Sequence, residues 1–184
     1  MIVAMSIPHL GVIHYPDPVL RRKADALAEV TPEVRDVAAR MFELMREKEG
    51  IGLAAPQVGL SWRLFVTTVP EGEDRSSTDD PASARPEPTV YINPVLHDPE
   101  GRPESLSEGC LSLPDIRGDV LRPPTISITA LDLRGRSFTL RGTGLLARCW
   151  QHEMDHLDGI LIIDRMSQMS RLKNRSAIRD LERG

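Results

Sequence analysis

The 184-residue sequence is short of several things, and each shortage excludes a class of protein. It holds two cysteines, Cys110 and Cys149, too few for a disulfide framework. A chain of this length buries enough surface to fold without such staples, so a reducing compartment is expected. In that setting a sparse thiol points to metal binding or catalysis. Aromatic residues make up 4%, which leaves aliphatic side chains to fill most of the core. No apolar run reaches the ~18 residues that a membrane span needs. Met1 to Ile7 is mildly apolar, but it has no basic start and Pro8 cuts it short, so no secretory signal is expected. Excess positive charge is missing too. The 23 basic and 27 acidic side chains leave −4, which is no footprint for specific nucleic-acid binding. What remains, 40% apolar and 27% charged, is the composition of an ordinary globular protein. Residues 1–184 are read as a single domain in the cytoplasm, with no membrane partner.

The local patterns outline its elements. Tyr15-Pro16-Asp17-Pro18 makes the arm up to Leu20 extended rather than helical. Thr31-Pro32 starts a helix, with Val34, Val37, Ala38, Met41, Leu44 and Met45 on one apolar stripe and Gly50 as its stop. Gly50 to Gly59 is small, apolar and nearly uncharged. It reads either as a loop packed under a sheet or as a place where a ligand approaches the backbone closely. Leu64 to Val69 is a β-branched strand. Residues 71–88 read as a mobile acidic loop, whose six acids and two bases between Glu71 and Glu87 give a net of −4. A strand resumes at Thr89 to Ile92. Thr125 to Leu131 alternates polar and apolar, and with a turn at Arg134-Gly135 and a strand from Ser137 to Leu140 it forms a hairpin. A second helix runs from near Gly144 to a stop at Asp158-Gly159. The 164–184 tail, with six basic and three acidic residues, reads as helical. Short connections between strands favour an antiparallel α+β fold.

His152-Glu153-Met154-Asp155-His156 carries the most chemistry. Histidines at i and i+4 share a helix face and can bind one metal ion. Leu145, Cys149, His152 and His156 fall on one stripe, so the histidines are expected to point inward, where they need partners. Glu153 lies ~100° around the helix from His152. That position is poor for a ligand but suits a general base acting on water, which a metal acidifies toward a pKa of ~7. Such a centre needs a third ligand, and Cys110, His97, Asp158 and Asp164 are candidates. Asp158 sits too near His156 on the same helix. Glu182 is the only glutamate beyond Glu153 and lies in the charged tail, unlike the downstream glutamate of a thermolysin-like protease. No third histidine follows His156. A lone cysteine is more often a small core residue, but beside a histidine pair lacking a third ligand Cys110 becomes the best candidate. These residues alone leave three readings open: a metal-dependent hydrolase, a zinc peptidase sharing the His-Glu-x-x-His chemistry, and a non-catalytic metal-binding module.

Three segments together resemble the peptide deformylase family. Gly50-Ile51-Gly52-Leu53-Ala54-Ala55-Pro56-Gln57 is similar to its glycine-rich motif, Glu108-Gly109-Cys110-Leu111-Ser112 to its cysteine motif, and Gln151-His152-Glu153-Met154-Asp155-His156 to its histidine motif. Their order and spacing agree, and the likeness covers roughly residues 9–165. The resemblance implies antiparallel β-sheets packed around a central metal-binding helix, with an N-terminal and a C-terminal helix. It implies metal ligation by Cys110, His152 and His156, with Glu153 as acid and base. The Gln57 amide and the Leu111 backbone N–H are expected to hydrogen-bond the formyl oxygen. Ile51 and Gly52 are expected to line the substrate cleft, and Leu145 and Cys149 the pocket for the methionine side chain. Arg122 is expected to pair with Glu108. The implied reaction is hydrolysis of N-formylmethionyl nascent peptides to formate and a free amine. The implied cofactor is one divalent metal ion, Fe(II), with Zn(II), Ni(II) or Co(II) also fitting these ligands. The 71–88 loop and Gly118-Asp119-Val120-Leu121 depart from the family pattern. A ribosome contact through the basic tail is compatible with the resemblance; a solvated helix is the plainer reading.

Overall fold

The computed structural model describes residues 9–183, so the Met1–Ile7 stretch considered above as a signal lies outside the described residues. Helix α1 (Pro32–Glu47) starts where Thr31 accepts a hydrogen bond from Val34 N at 3.3 Å and Pro32 takes the first position. All six residues of its apolar stripe are buried. The helix ends earlier than Gly50: Glu49 adopts φ 54, and Gly50 N donates to Met45 O at 2.9 Å. The arm is also less extended than expected. Residues Pro18–Arg21 form a 3-10 turn because the Asp17 carboxylate caps Val19 N at 2.9 Å and Pro18 leads the turn.

Five strands form one antiparallel sheet in the order β1-β2-β3-β6-β7: β1 (Gly52–Ala54), β2 (Leu64–Val69), β3 (Arg85–Glu100), β6 (Thr125–Leu131) and β7 (Ser137–Thr143). Strand β3 is much longer than the Thr89–Ile92 expected. It contains Pro86, Pro88, Pro94 and Pro99, which cannot donate to a ladder. The register shifts fall where they sit: between Arg85 and Thr89, between Ile92 and Val95, and between His97 and Glu100. Irregularities of this kind let an interior strand carry proline. The strand also claims residues 85–88, so the acidic loop ends before Arg85. Its Ala82 bridges Gly142 of β7, and Ala84 is buried.

A separate ribbon pairs β4 (Glu104–Cys110) with β5 (Leu113–Arg122). The segment Gly118 to Leu121, singled out above, is regular strand, with Val120 buried. Helix α2 (Gly144–Leu157) follows β7. Gly159 closes its C-terminal end at φ +73, where a Cβ would also stand 2.6 Å from Arg21 O. In place of one tail helix there are three short ones, α3 (Ile162–Arg165), α4 (Gln168–Lys173) and α5 (Arg175–Arg183).

The sheet lies between the two long helices. Leu64 and Val66 of β2 pack toward α1, while Phe65 between them packs toward α2, as strand alternation requires. On the α2 side Phe65 and Tyr91 stack at 4.7 Å, and Trp150 Nε1 donates to Tyr91 OH at 3.0 Å. A third cluster joins Leu113, Ile116 and Val120 of the ribbon to Ile162 and Ile163, with Ile178 and Leu181 of α5 half-buried against it. No helix among the described residues is long and apolar enough to cross a membrane.

Candidate metal centre

Two elements supply the potential ligands. Cys110 ends β4, where the pairing jumps from Gly109↔Arg117 to Cys110↔Leu113, an irregularity that re-aims the side chain. His152 and His156 stand one turn apart on α2, their rings 5.0 Å apart. One ligand atom from each of the three residues lies within 4.8 Å of the other two, and Cys110 Sγ is 3.3 Å from His156 Nε2. A metal held by one thiolate and two imidazoles would keep a fourth position open, as catalytic rather than structural sites do.

The surroundings fit a cation. Burial opposes charge on His152, yet its hydrogen bonds to Cys110 and Glu108 hold its pKa well above the ordinary histidine value. His156 is pushed well below that value by burial, then by the charges of His152 and Arg122. His156 is thus held in the neutral form in which an imidazole can act as a ligand. The second nitrogen of His152, Nδ1, lies 3.1 Å from Glu108 Oε2, a partner that fixes the ring's orientation. Burial works against the charge on Glu108, but the Arg122 and His152 hydrogen bonds hold its carboxyl far below the usual carboxylate range. Arg122 grips both its oxygens, at 2.7 and 2.9 Å.

Glu153, on the same helix, is 4% exposed, and burial pushes its pKa up to about 7. Its Oε2 is buried without a hydrogen-bond partner. The space for this carboxyl comes from Gly52, where a Cβ would stand 2.3 Å from Glu153 Oε1. Gln57 is fixed at both ends of its amide. Oε1 accepts from Ala54 N at 2.8 Å, while Nε2 faces Ser112 Oγ at 3.1 Å and Cys110 Sγ at 3.6 Å.

A cleft of about 750 Å³ opens onto these groups. Ile51, Gly52, Gln57, Cys110, Leu111, Leu145, Cys149, His152 and Glu153 all line it, with His156 buried behind. The inward stripe expected of α2 holds for Cys149 and His156, which are buried, but not for its other two members. Leu145 and His152 are half-buried and face the cleft, whereas Leu146 and Trp150 face the core. Cys149 is buried in the cleft wall, 3.7 Å from Ile51 O, and burial raises its pKa well above the ordinary thiol value. The other ligand candidates are engaged elsewhere. His97 bonds Asp98 and Thr129, Asp158 pairs with Arg63, and Asp164 pairs with Arg21. Glu182 accepts from Tyr15 OH at 2.8 Å.

Sequence reasoning missed three buried supports: Ser112 under Gln57, Asp155 paired with Arg122 and Arg165, and Arg148 paired with Glu108. The only signal for Arg148 was a charge in an otherwise apolar helix segment, one turn before His152.

Residues 9–172 match the family model described as polypeptide deformylase. A peptide deformylase of Acidobacterium capsulatum is 44% identical over 172 residues, 94% of this chain and 95% of that protein. One of Acinetobacter baumannii is 40% identical over 174 residues, 95% and 92% of the two chains. Among solved structures, the peptide deformylase of Ehrlichia chaffeensis has a TM-score of 0.84 at 33% identity, over 95% of both chains. That of Synechococcus elongatus, solved with actinonin, has a TM-score of 0.80 at 37% identity, over 95% of this chain and 87% of that one.

Proposed function

Because the chain belongs to the polypeptide deformylase family, hydrolases that remove the formyl group from N-formylmethionyl peptides, we propose how its residues divide that reaction. Residues 1–184 act as one catalytic domain. Cys110, His152 and His156 hold one divalent metal ion on α2 and the end of β4, and the observation that carries this reading is the mutual approach of their ligand atoms to within 4.8 Å. We assign Fe(II), with Zn(II), Ni(II) and Co(II) as ions the same thiolate and imidazole donors accept. Such an ion supplies Lewis acidity and brings the pKa of water at the site toward ~7.

The remaining steps belong to the chain's own side chains. Ile51 and Gly52 pair by their backbone with an extended substrate, and Leu145 and Cys149 receive its methionine side chain. Glu153 accepts a proton from the attacking water and returns it to the departing amine nitrogen, a role suited to a carboxyl with a pKa near working pH. Gln57 Nε2 and the Leu111 N–H donate to the formyl oxygen as charge develops on it. Ala54 N and Ser112 hold its amide in place, so the Nε2 hydrogen that faces Cys110 Sγ is the one that turns to the formyl oxygen. The enzyme works in the cytoplasm on nascent chains.

The test is anaerobic formate release from formyl-Met-Ala by the iron-loaded protein. Chelation is expected to abolish it. Glu153→Ala is expected to lose about 10²–10⁴-fold in turnover while retaining metal. An active Glu153→Ala variant would remove Glu153 from its role.

A further inference from the structure

The three ligand atoms come from two bodies that share no strand pairing. Cys110 belongs to the β4–β5 ribbon, whereas His152 and His156 belong to α2, whose apolar face packs on the five-stranded sheet. The geometry of the centre therefore depends on what locks the ribbon to the helix. We propose that Arg148 is a positioning residue that clamps the β4–β5 ribbon onto α2 and so sets the distance from Cys110 to the histidine pair. This rests on the metal-centre reading above.

Arg148 lies one turn before His152 on α2 and is 8% exposed. Its guanidinium reaches both strands of the ribbon. Nη1 donates to Glu108 Oε1 at 2.8 Å and to Val120 O at 2.9 Å, and Nη2 donates to Glu104 O at 2.8 Å. Two of the three acceptors are backbone carbonyls, so the grip is on the strands themselves. Glu104 begins β4, and Glu108 stands two residues before Cys110. A strand held at both places cannot pivot its end toward or away from α2. Glu108 is also the partner of His152 Nδ1, so the same clamp acts on both sides of the site. Arg122, the last residue of β5, also ties the ribbon to α2, but only side chain to side chain, through Asp155 and through the Glu108 it shares with Arg148. A planar fork spreads its donors over three separated acceptors, whereas an ammonium holds its three donors on one atom. A lysine ammonium keeps the charge but presents it as a point.

Co(II) alone is the probe, because a thiolate bound to Co(II) gives a charge-transfer absorption. Wild-type protein is expected to show this band and Cys110→Ser to lose it; a wild type without the band would overturn the metal-centre reading itself. With the band present, Arg148→Gln is expected to shift or broaden it. The same variant should weaken Co(II) retention about 10–100-fold against a competing chelator, the size usual for partners behind metal ligands. Arg148→Lys, which keeps the buried charge and covers the case in which the Gln variant does not fold, is expected to recover only part of this. An unchanged band and retention in Arg148→Gln, or full recovery in Arg148→Lys, would overturn the clamp.

Discussion

Side chains in the cleft act through small clearances and fixed hydrogen bonds, so single substitutions should separate catalysis from metal binding. A methyl group at Gly52 would collide with Glu153 Oε1 at 2.3 Å. Gly52→Ala is therefore expected to cut turnover at least 10-fold by displacing the carboxyl, with metal content unchanged on elemental analysis; wild-type turnover would show that Glu153 has room to move. Gln57→Leu removes a donor already oriented by Ala54 and Ser112. Loss of one such donor commonly costs about 10²–10³ in kcat, and the readout is kcat falling more than metal affinity. Cys110→Ala is expected to lose the metal itself, and undiminished binding would exclude the thiol as a ligand. His152, Glu153 and His156 were legible as a candidate site from helical spacing alone, whereas Gln57 and Gly52 were reached only through the family resemblance. Arg148, Asp155 and Ser112 were not legible, because their roles exist only through partners on other elements, between 33 and 55 residues away for the Asp155–Arg122 and Ser112–Gln57 pairs.

Among the elements, β2 and β6 were legible with their full bounds. β-branched content and strict alternation specify them without reference to neighbours. Strand β3 was legible only from Thr89 to Ile92. Its four prolines argue against a central strand until the register shifts that absorb them are seen. The tail was legible as helical but not as three pieces, since the docking of Ile178 and Leu181 on β5 is tertiary. The join between α2 and the sheet makes its own prediction. Tyr91 OH accepts the Trp150 N–H in a buried setting, so Tyr91→Phe leaves that donor unpaired and is expected to cost about 1–3 kcal/mol in denaturant unfolding. Burial raises the Tyr91 pKa, and burial together with Glu182 raises that of Tyr15. Both folded values lie above the unfolded ~10, so this contribution to stability is complete below about pH 10 and is lost as pH rises through the folded values. These are the chain's two tyrosines. Native protein at pH 10 should therefore show less than half of its tyrosinate absorbance; half-ionisation or more without unfolding would contradict the raised values.

For the whole molecule, the proposed ligand set joins the β4–β5 ribbon to helix α2, so metal occupancy and global stability are expected to be coupled. An ion at 100 times its Kd adds about 2.7 kcal/mol to the folded state. For a chain of this size that corresponds to roughly 5–10 °C in Tm. Chelation is expected to lower the melting temperature by that amount in the wild type and to leave Cys110→Ala unmoved. Equal shifts in both would place the ion elsewhere. The net charge is likewise a property of the whole that conceals its parts. The acidic 71–87 stretch carries −4 and the 164–184 tail +3, so the remaining residues sum to −3. The two cysteines, finally, bear differently on an alkylating reagent. Cys149 is buried, with burial pushing its thiol pKa up, while Cys110 is half-buried and open to the cleft until an ion covers it. Iodoacetamide should then label none in the loaded protein, one after chelation and two after unfolding. Counting labelled thiols by mass would report, molecule by molecule, what fraction of a preparation is loaded, with no substrate added.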